Sequence, residues 1–113
     1  MTRDGKTDIS IISEKFLGSV LIGGNGAPDS EGNLQPDGAV NYMDATMSNW
    51  QKLMYRIGNT TVQVGKYHIG VLSGTDAVHN NQHVLGVPLF PHNINLAATH
   101  NPEHFKNMGY WTA

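Results

Sequence analysis

Two short apolar segments, residues 16–22 and 69–73, bracket a stretch with helical periodicity at 41–57. This order constrains the fold more than any other feature of the chain. Ile69-Gly70-Val71-Leu72-Ser73 is short, β-branched and bounded by glycine, the pattern of a buried parallel strand. Residues 16–22 form its candidate partner. Between them Met43, Met47, Trp50, Met54 and Ile57 recur at spacings of four, three, four and three, and Leu53 widens the stripe. Gly58-Asn59 then supplies a helix stop. The expected fold class is therefore α/β, with elements in the order βαβα.

The remaining segments are polar or punctuated. Residues 1–9 are expected to fray, and residues 10–15 to form a short helical turn. Residues 23–40 are a loop rich in Gly, Asn, Asp, Ser and Pro, and residues 74–99 are a second long loop. Loops of that length are functional or disordered. Residues 60–67 fit either a helical continuation or an extended connection. Asn101-Pro102-Glu103 reads as N-cap, first helical residue and first-turn acid of a last helix running toward Ala113. The chain has no internal repeat beyond the βα unit and no low-complexity segment.

With 113 residues the chain suffices for one small domain. The net charge is −2 and no basic patch is present, so nucleic acid is not an expected partner. Nor does any polybasic amphipathic stretch suggest a membrane surface. Charged residues make up only 14% of the chain, so polar contacts fall to Asn, Gln, Ser, Thr and His. Neutral hydrogen-bonding groups of this kind suit a carbohydrate site. The absence of cysteine removes disulfides, thiol nucleophiles and thiolate metal sites. No apolar leader segment is visible at the start, and no apolar run approaches the ~18 residues of a transmembrane helix. None of this decides the compartment.

Asp76 stands out among the nine acids. In Gly74-Thr75-Asp76-Ala77-Val78-His79 it follows the second strand, where parallel α/β folds place their sites. A carboxylate there can accept hydrogen bonds from two adjacent hydroxyls of one sugar; the bland alternative is a turn cap. Asp4, Asp8, Glu14, Asp29, Glu31, Asp37 and Asp44 lie in polar surroundings and read as surface or turn residues, and Glu103 as a first-turn acid. Six histidines raise the question of a metal, because His79 and His83, and His100 and His104, are each four residues apart. The first pair lies in a loop without apolar period, and His100 precedes the N-cap, so no metal site is expected. Trp50 reads as helix core, with a sugar-stacking platform as the lesser alternative.

Three motifs carry a resemblance. The run Gly74-Thr75-Asp76-Ala77-Val78-His79 and the later Leu89-Phe90-Pro91-His92-Asn93-Ile94 resemble the N-terminal domain of family-three glycoside hydrolases, the β-glucosidase and exo-glucanase family. Gly18-Ser19-Val20-Leu21-Ile22-Gly23-Gly24-Asn25 resembles the family's GSVL-x-GGN stretch. The resemblance covers roughly residues 17–113.

The resemblance implies a fragment, about two βα units, of a TIM-type (β/α)8 barrel that needs about 250 residues. It further implies retaining hydrolysis of terminal β-linked glucosyl residues, with a β-glucoside or β-glucan oligosaccharide as partner and no cofactor. Retaining enzymes use two carboxyl groups about 5 to 5.5 Å apart. The family's nucleophile and acid/base both lie downstream, so no catalytic residue is expected in this chain, which would need the rest of the barrel and a second domain. Asp76 matches the family aspartate that holds hydroxyls of the non-reducing sugar at the −1 subsite. His79 and His92 match motif histidines and are expected to orient loops by hydrogen bonding. Asn80 stands where the family has a glycine, as do Asn95 and Ala97, and Gly70 replaces a proline. The glycine at position 80 matters because its loss disfavours positive φ, although Asn tolerates that conformation better than most residues. Two other readings remain: a non-catalytic carbohydrate-binding or vestigial fragment that kept Asp76, and a small His-dependent metalloprotein.

Overall fold

The structure, a computed structural model, describes residues 8–22, 26–36, 38–64 and 69–113. The expected fraying of residues 1–9 falls largely outside the described residues. In chain order the elements are α1 (Ser10–Glu14), β1 (Ser19–Leu21), β2 (Ala27–Pro28), β3 (Leu34–Gln35), a 3-10 turn (Tyr42–Asp44), α2 (Met47–Val64), β4 (Leu72–Gly74), α3 (Asn93–Ala98) and α4 (Pro102–Thr112). β1 and β4 pair in parallel, with Ser19 opposite Leu72 and Leu21 opposite Gly74. The α2 helix lies between them in sequence. Among the described residues the strands form two two-stranded sheets, and no barrel is closed.

α2 starts later and ends later than its hydrophobic period suggests. Thr46 caps it by accepting a hydrogen bond from the Asn49 amide at 3.3 Å, so the helix begins after Thr46 rather than at Asn41. Asn41 instead caps the 3-10 turn, accepting from the Met43 amide. Met43 and Met47 are therefore left exposed, and the buried stripe comprises Trp50, Leu53, Ile57 and Thr61. Gly58 and Asn59 do not stop the helix. Thr61 is buried, donates to the Gly58 carbonyl at 2.9 Å and accepts from the Val71 amide at 3.2 Å, tying the last turns of α2 to the entry of β4.

The core gathers Trp50, Leu53 and Ile57 with Ile12, Ile22, Ala27 and Ala45, and Val20 and Val71 pack against it. Successive residues of a strand face opposite sides of the sheet. Ile22 is buried and Val20 half-buried, whereas Ser19, Leu21 and Leu72 are exposed. This corrects the expectation of a buried second strand. Only one face of the parallel pair is covered among the described residues, and Leu72 lies on the other. The first strand is also shorter than residues 16–22, because Phe16 takes φ 52° in the turn that ends α1.

Residues 23–40, expected as a plain loop, contain the antiparallel hairpin of β2 and β3. At its turn Gly32 takes φ 76° and lies against α2, where an added Cβ would stand 2.6 Å from the Lys52 Cβ. Only glycine satisfies both the left-handed backbone and the close approach. The second long loop likewise contains α3. α4 begins as its sequence suggests: Asn101 accepts from the Glu103 amide at 3.1 Å, with Pro102 in the first turn.

Candidate functional site

Asp76 lies two residues beyond the C-terminal end of β4 and is exposed. The end of β4 is fixed, since the Gly74 carbonyl accepts from the Ile22 amide at 2.8 Å. Because β1 and β4 are parallel, both strands deliver their C-terminal ends to the same side. Among the described residues the Asp76 carboxylate has no hydrogen-bond or ion-pair partner.

The other described acids are all engaged. Asp8 accepts from the Ser10 amide at 2.9 Å, and hydrogen bonding from Ser10, its side chain foremost, holds this carboxyl below its ordinary value. Glu14 accepts from the Ser10 hydroxyl at 3.1 Å, and Asp44 from the Asn41 side chain at 3.0 Å. Asp29 accepts from the Glu31 amide, the Asn33 amide and the Asn33 side chain at 2.9, 2.8 and 2.8 Å. Glu31 accepts from the same Asn33 side chain at 3.1 Å. Glu103 pairs with Lys106 at 3.6 Å on the surface. Asp4 and Asp37 lie outside the described residues. The turn-cap alternative for Asp76 requires a bond from a nearby amide of the kind Asp29 receives, and Asp76 receives none.

The loop that follows is closed on itself. The Phe90 amide donates to the His79 carbonyl at 3.0 Å, and the Asn80 side chain donates to the Pro88 carbonyl at 2.7 Å. The Asn80 side-chain oxygen accepts from the Asn81 amide at 2.8 Å, and Asn81 accepts from the His83 amide at 3.0 Å. Two further bonds anchor the loop to the body of the molecule. The buried Trp50 indole donates to the His83 carbonyl at 2.8 Å, and the Leu85 amide donates to the Ala45 carbonyl at 2.7 Å. Trp50 is thus both helix core and loop anchor.

The expected role of His79 and His92 is modified. Their rings pack together with centroids 4.2 Å apart and planes inclined by 54°, while the buried His79 Nδ1 has no hydrogen-bond partner. The pair orients the loop by ring packing and through the His79 backbone, not by hydrogen bonds from its Nδ1. His83 is buried, with its Nε2 3.3 Å from the Gln82 amide nitrogen. His100 takes φ 53° in the link between α3 and α4, so it does not share a helix face with His104. Among the described residues no three His, Asp or Glu side chains converge as a metal site requires. A cavity of about 140 Å³ opens beside His83, lined by Tyr42, Gln82, Leu85 and Leu89 among others, and Asp76 does not line it.

Asn80 takes φ 78°, so Asn occupies here the left-handed conformation that glycine adopts most readily. Its clamp on Pro88 and the Trp50 anchor are contacts that the sequence reading did not contain. Asn80-Asn81 is a turn signal, but which carbonyl such a side chain reaches is set by the path of the chain eight residues on.

Comparison with protein families, curated proteins and solved structures finds no match. The likeness to family-three glycoside hydrolases therefore rests on the three motifs themselves. Among the described residues, no helix is long and apolar enough to cross a membrane.

Proposed function

We propose that this chain is the N-terminal part of a β-glucosidase-like hydrolase, about two βα units of a TIM-type barrel. It contributes part of the −1 sugar site and none of the catalytic pair. The observation that carries this reading is Asp76, the one described acid left without a partner, exposed just past a strand end in a motif that resembles the family's sugar-binding run. The parallel pairing of β1 and β4 supports it, because in such folds ligands sit beyond the carboxyl ends of the strands.

In this reading the Asp76 carboxylate accepts hydrogen bonds from two neighbouring hydroxyls of the non-reducing sugar. Charge-assisted bonds of this kind contribute roughly 1.5 to 3 kcal/mol each. Contacts that tighten as the ring acquires oxocarbenium character accelerate the reaction; contacts of equal strength in ground and transition states do not. The nucleophile and the acid/base come from later segments of the barrel.

Two experiments test the reading. An open frame continuing past the Ala113 codon into the family's arginine, lysine-histidine and nucleophile-aspartate segments is expected; a stop codon there favours the non-catalytic alternative. In the enzyme so assembled, Asp76→Asn and Asp76→Ala are expected to lower kcat/KM for an aryl-β-glucoside by at least about a hundredfold, with kcat falling too. Unchanged kinetics in both variants would remove Asp76 from the site.

A further inference from the structure

We infer that Asn80 is a positioning residue for Asp76: its left-handed backbone and its side-chain clamp on Pro88 fix the segment that presents the carboxylate. The inference rests on the reading of Asp76 as a sugar ligand.

Asp76 is held from both sides. Upstream, β4 is fixed through Gly74, bonded to Ile22. Downstream, the chain is gripped again at His79 and Asn80, where the His79 carbonyl accepts from Phe90 and the Asn80 side chain reaches Pro88. Only Thr75, Asp76, Ala77 and Val78 lie between Gly74 and His79, so the backbone that carries the carboxylate spans a short, doubly anchored segment as long as both grips hold.

Asn80 performs two separable tasks in the downstream grip. Its φ of 78° turns the chain, a conformation that residues with an ordinary Cβ rarely adopt. Its amide nitrogen donates to Pro88 at 2.7 Å, while its oxygen accepts from the Asn81 amide at 2.8 Å. Glycine can perform the first task and not the second. Aspartate tolerates the backbone and can accept from Asn81, but it has no donor for Pro88. Alanine performs neither task.

The test compares substrates, because a purely structural defect lowers the amount of active enzyme equally for every substrate. For each variant of the assembled enzyme, kcat/KM is measured on an aryl-β-glucoside and on its monodeoxy analogues. The readout is the preference for the fully hydroxylated sugar. Asp76→Ala is expected to abolish that preference at the hydroxyl it contacts. A misplacement of about 1 Å costs up to about a hundredfold in rate. Asn80→Ala is therefore expected to reduce the same preference by about tenfold or more, and Asn80→Gly and Asn80→Asp, which keep the backbone turn but lose the bond to Pro88, by less. Asn80→Asp carries the test if the alanine variant does not fold. If Asp76→Ala abolishes the preference while the folded Asn80 variants keep it in full, the positioning role is overturned and the sugar site stands. If Asp76→Ala itself leaves the preference intact, the sugar-site reading fails, and the inference with it.

Discussion

Asp29 in the connection after β1 and Asp76 in the connection after β4 are used in opposite ways. In the first, Asp29 sits at the turn between β2 and β3 and accepts three hydrogen bonds from Glu31 and Asn33. That loop consumes its own charge, and Gly32 presses it against α2. In the second, closure is left to neutral groups: the His79 carbonyl, the Asn80 amide, and the Trp50 indole on the His83 carbonyl. Asp76 is spared. A loop that is held by backbone and amide contacts leaves its carboxylate facing solvent. A loop that folds around its carboxylate has none to offer.

This contrast is open to direct attack. The largest expected effect is a complete one: the 113-residue chain alone should show no β-glucosidase turnover, because Asp76 alone among the described acids is left without a partner, and one carboxylate cannot be both nucleophile and acid/base. Steady hydrolysis of an aryl-β-glucoside, abolished by changing an acid within this chain, would break the reading. The same chain should self-associate, since Leu21 and Leu72 are exposed on a sheet that has two strands among the described residues. Sedimentation showing a monodisperse monomer with a sharp cooperative thermal transition would contradict this.

Exchanging the two aspartates for alanine sharpens the comparison. Asp29→Ala leaves the Glu31 and Asn33 amides without their acceptor and should destabilise the hairpin by about 1 kcal/mol. Faster hydrogen exchange at those two amides reports it. Asp76→Ala should change local stability by no more than about 0.5 kcal/mol, with exchange across residues 78–92 unaltered. Marked loosening of that loop would make Asp76 a structural acid after all.

The smallest effect concerns Asp8, whose carboxyl is held below its ordinary value by bonds from Ser10. A group with a depressed folded-state value stabilises the fold above its unfolded value, near 3.8, and loses that contribution as pH falls through the lowered one. Asp8→Asn should therefore slightly lower the stability of α1 at neutral pH and flatten its acid limb, the two proteins converging once pH falls below the lowered value. An unchanged acid limb counts against the Ser10 contacts.

What was legible in the sequence was mostly local. The start of α4 could be read because Asn101, Pro102 and Glu103 act on one another within a single turn. The parallel partnership of β1 and β4 followed from two apolar segments flanking one helical period. Burial of β4 was misread, because an apolar run does not say whether both faces will be covered, and here Leu72 has no cover among the described residues. The hairpin of β2 and β3 was missed because two-residue strands leave no alternating pattern to read. At the candidate site, the place of Asp76 after a strand could be read from the sequence. Its freedom from local partners was not, since a turn cap and a ligand residue look alike until the amides around them are placed.

The central claim, that Asp76 touches sugar hydroxyls, is tested most directly by a double cycle in the assembled enzyme. The two changes are Asp76→Ala in the protein and loss of one hydroxyl in the glucoside. If the carboxylate contacts that hydroxyl, either deletion alone lowers kcat/KM, and the second adds almost nothing once the first is made. Wild type then discriminates strongly between the two substrates, and Asp76→Ala handles them almost equally. Additive losses with every monodeoxy glucoside would contradict the claim and return Asp76 to the solvated acids of the surface.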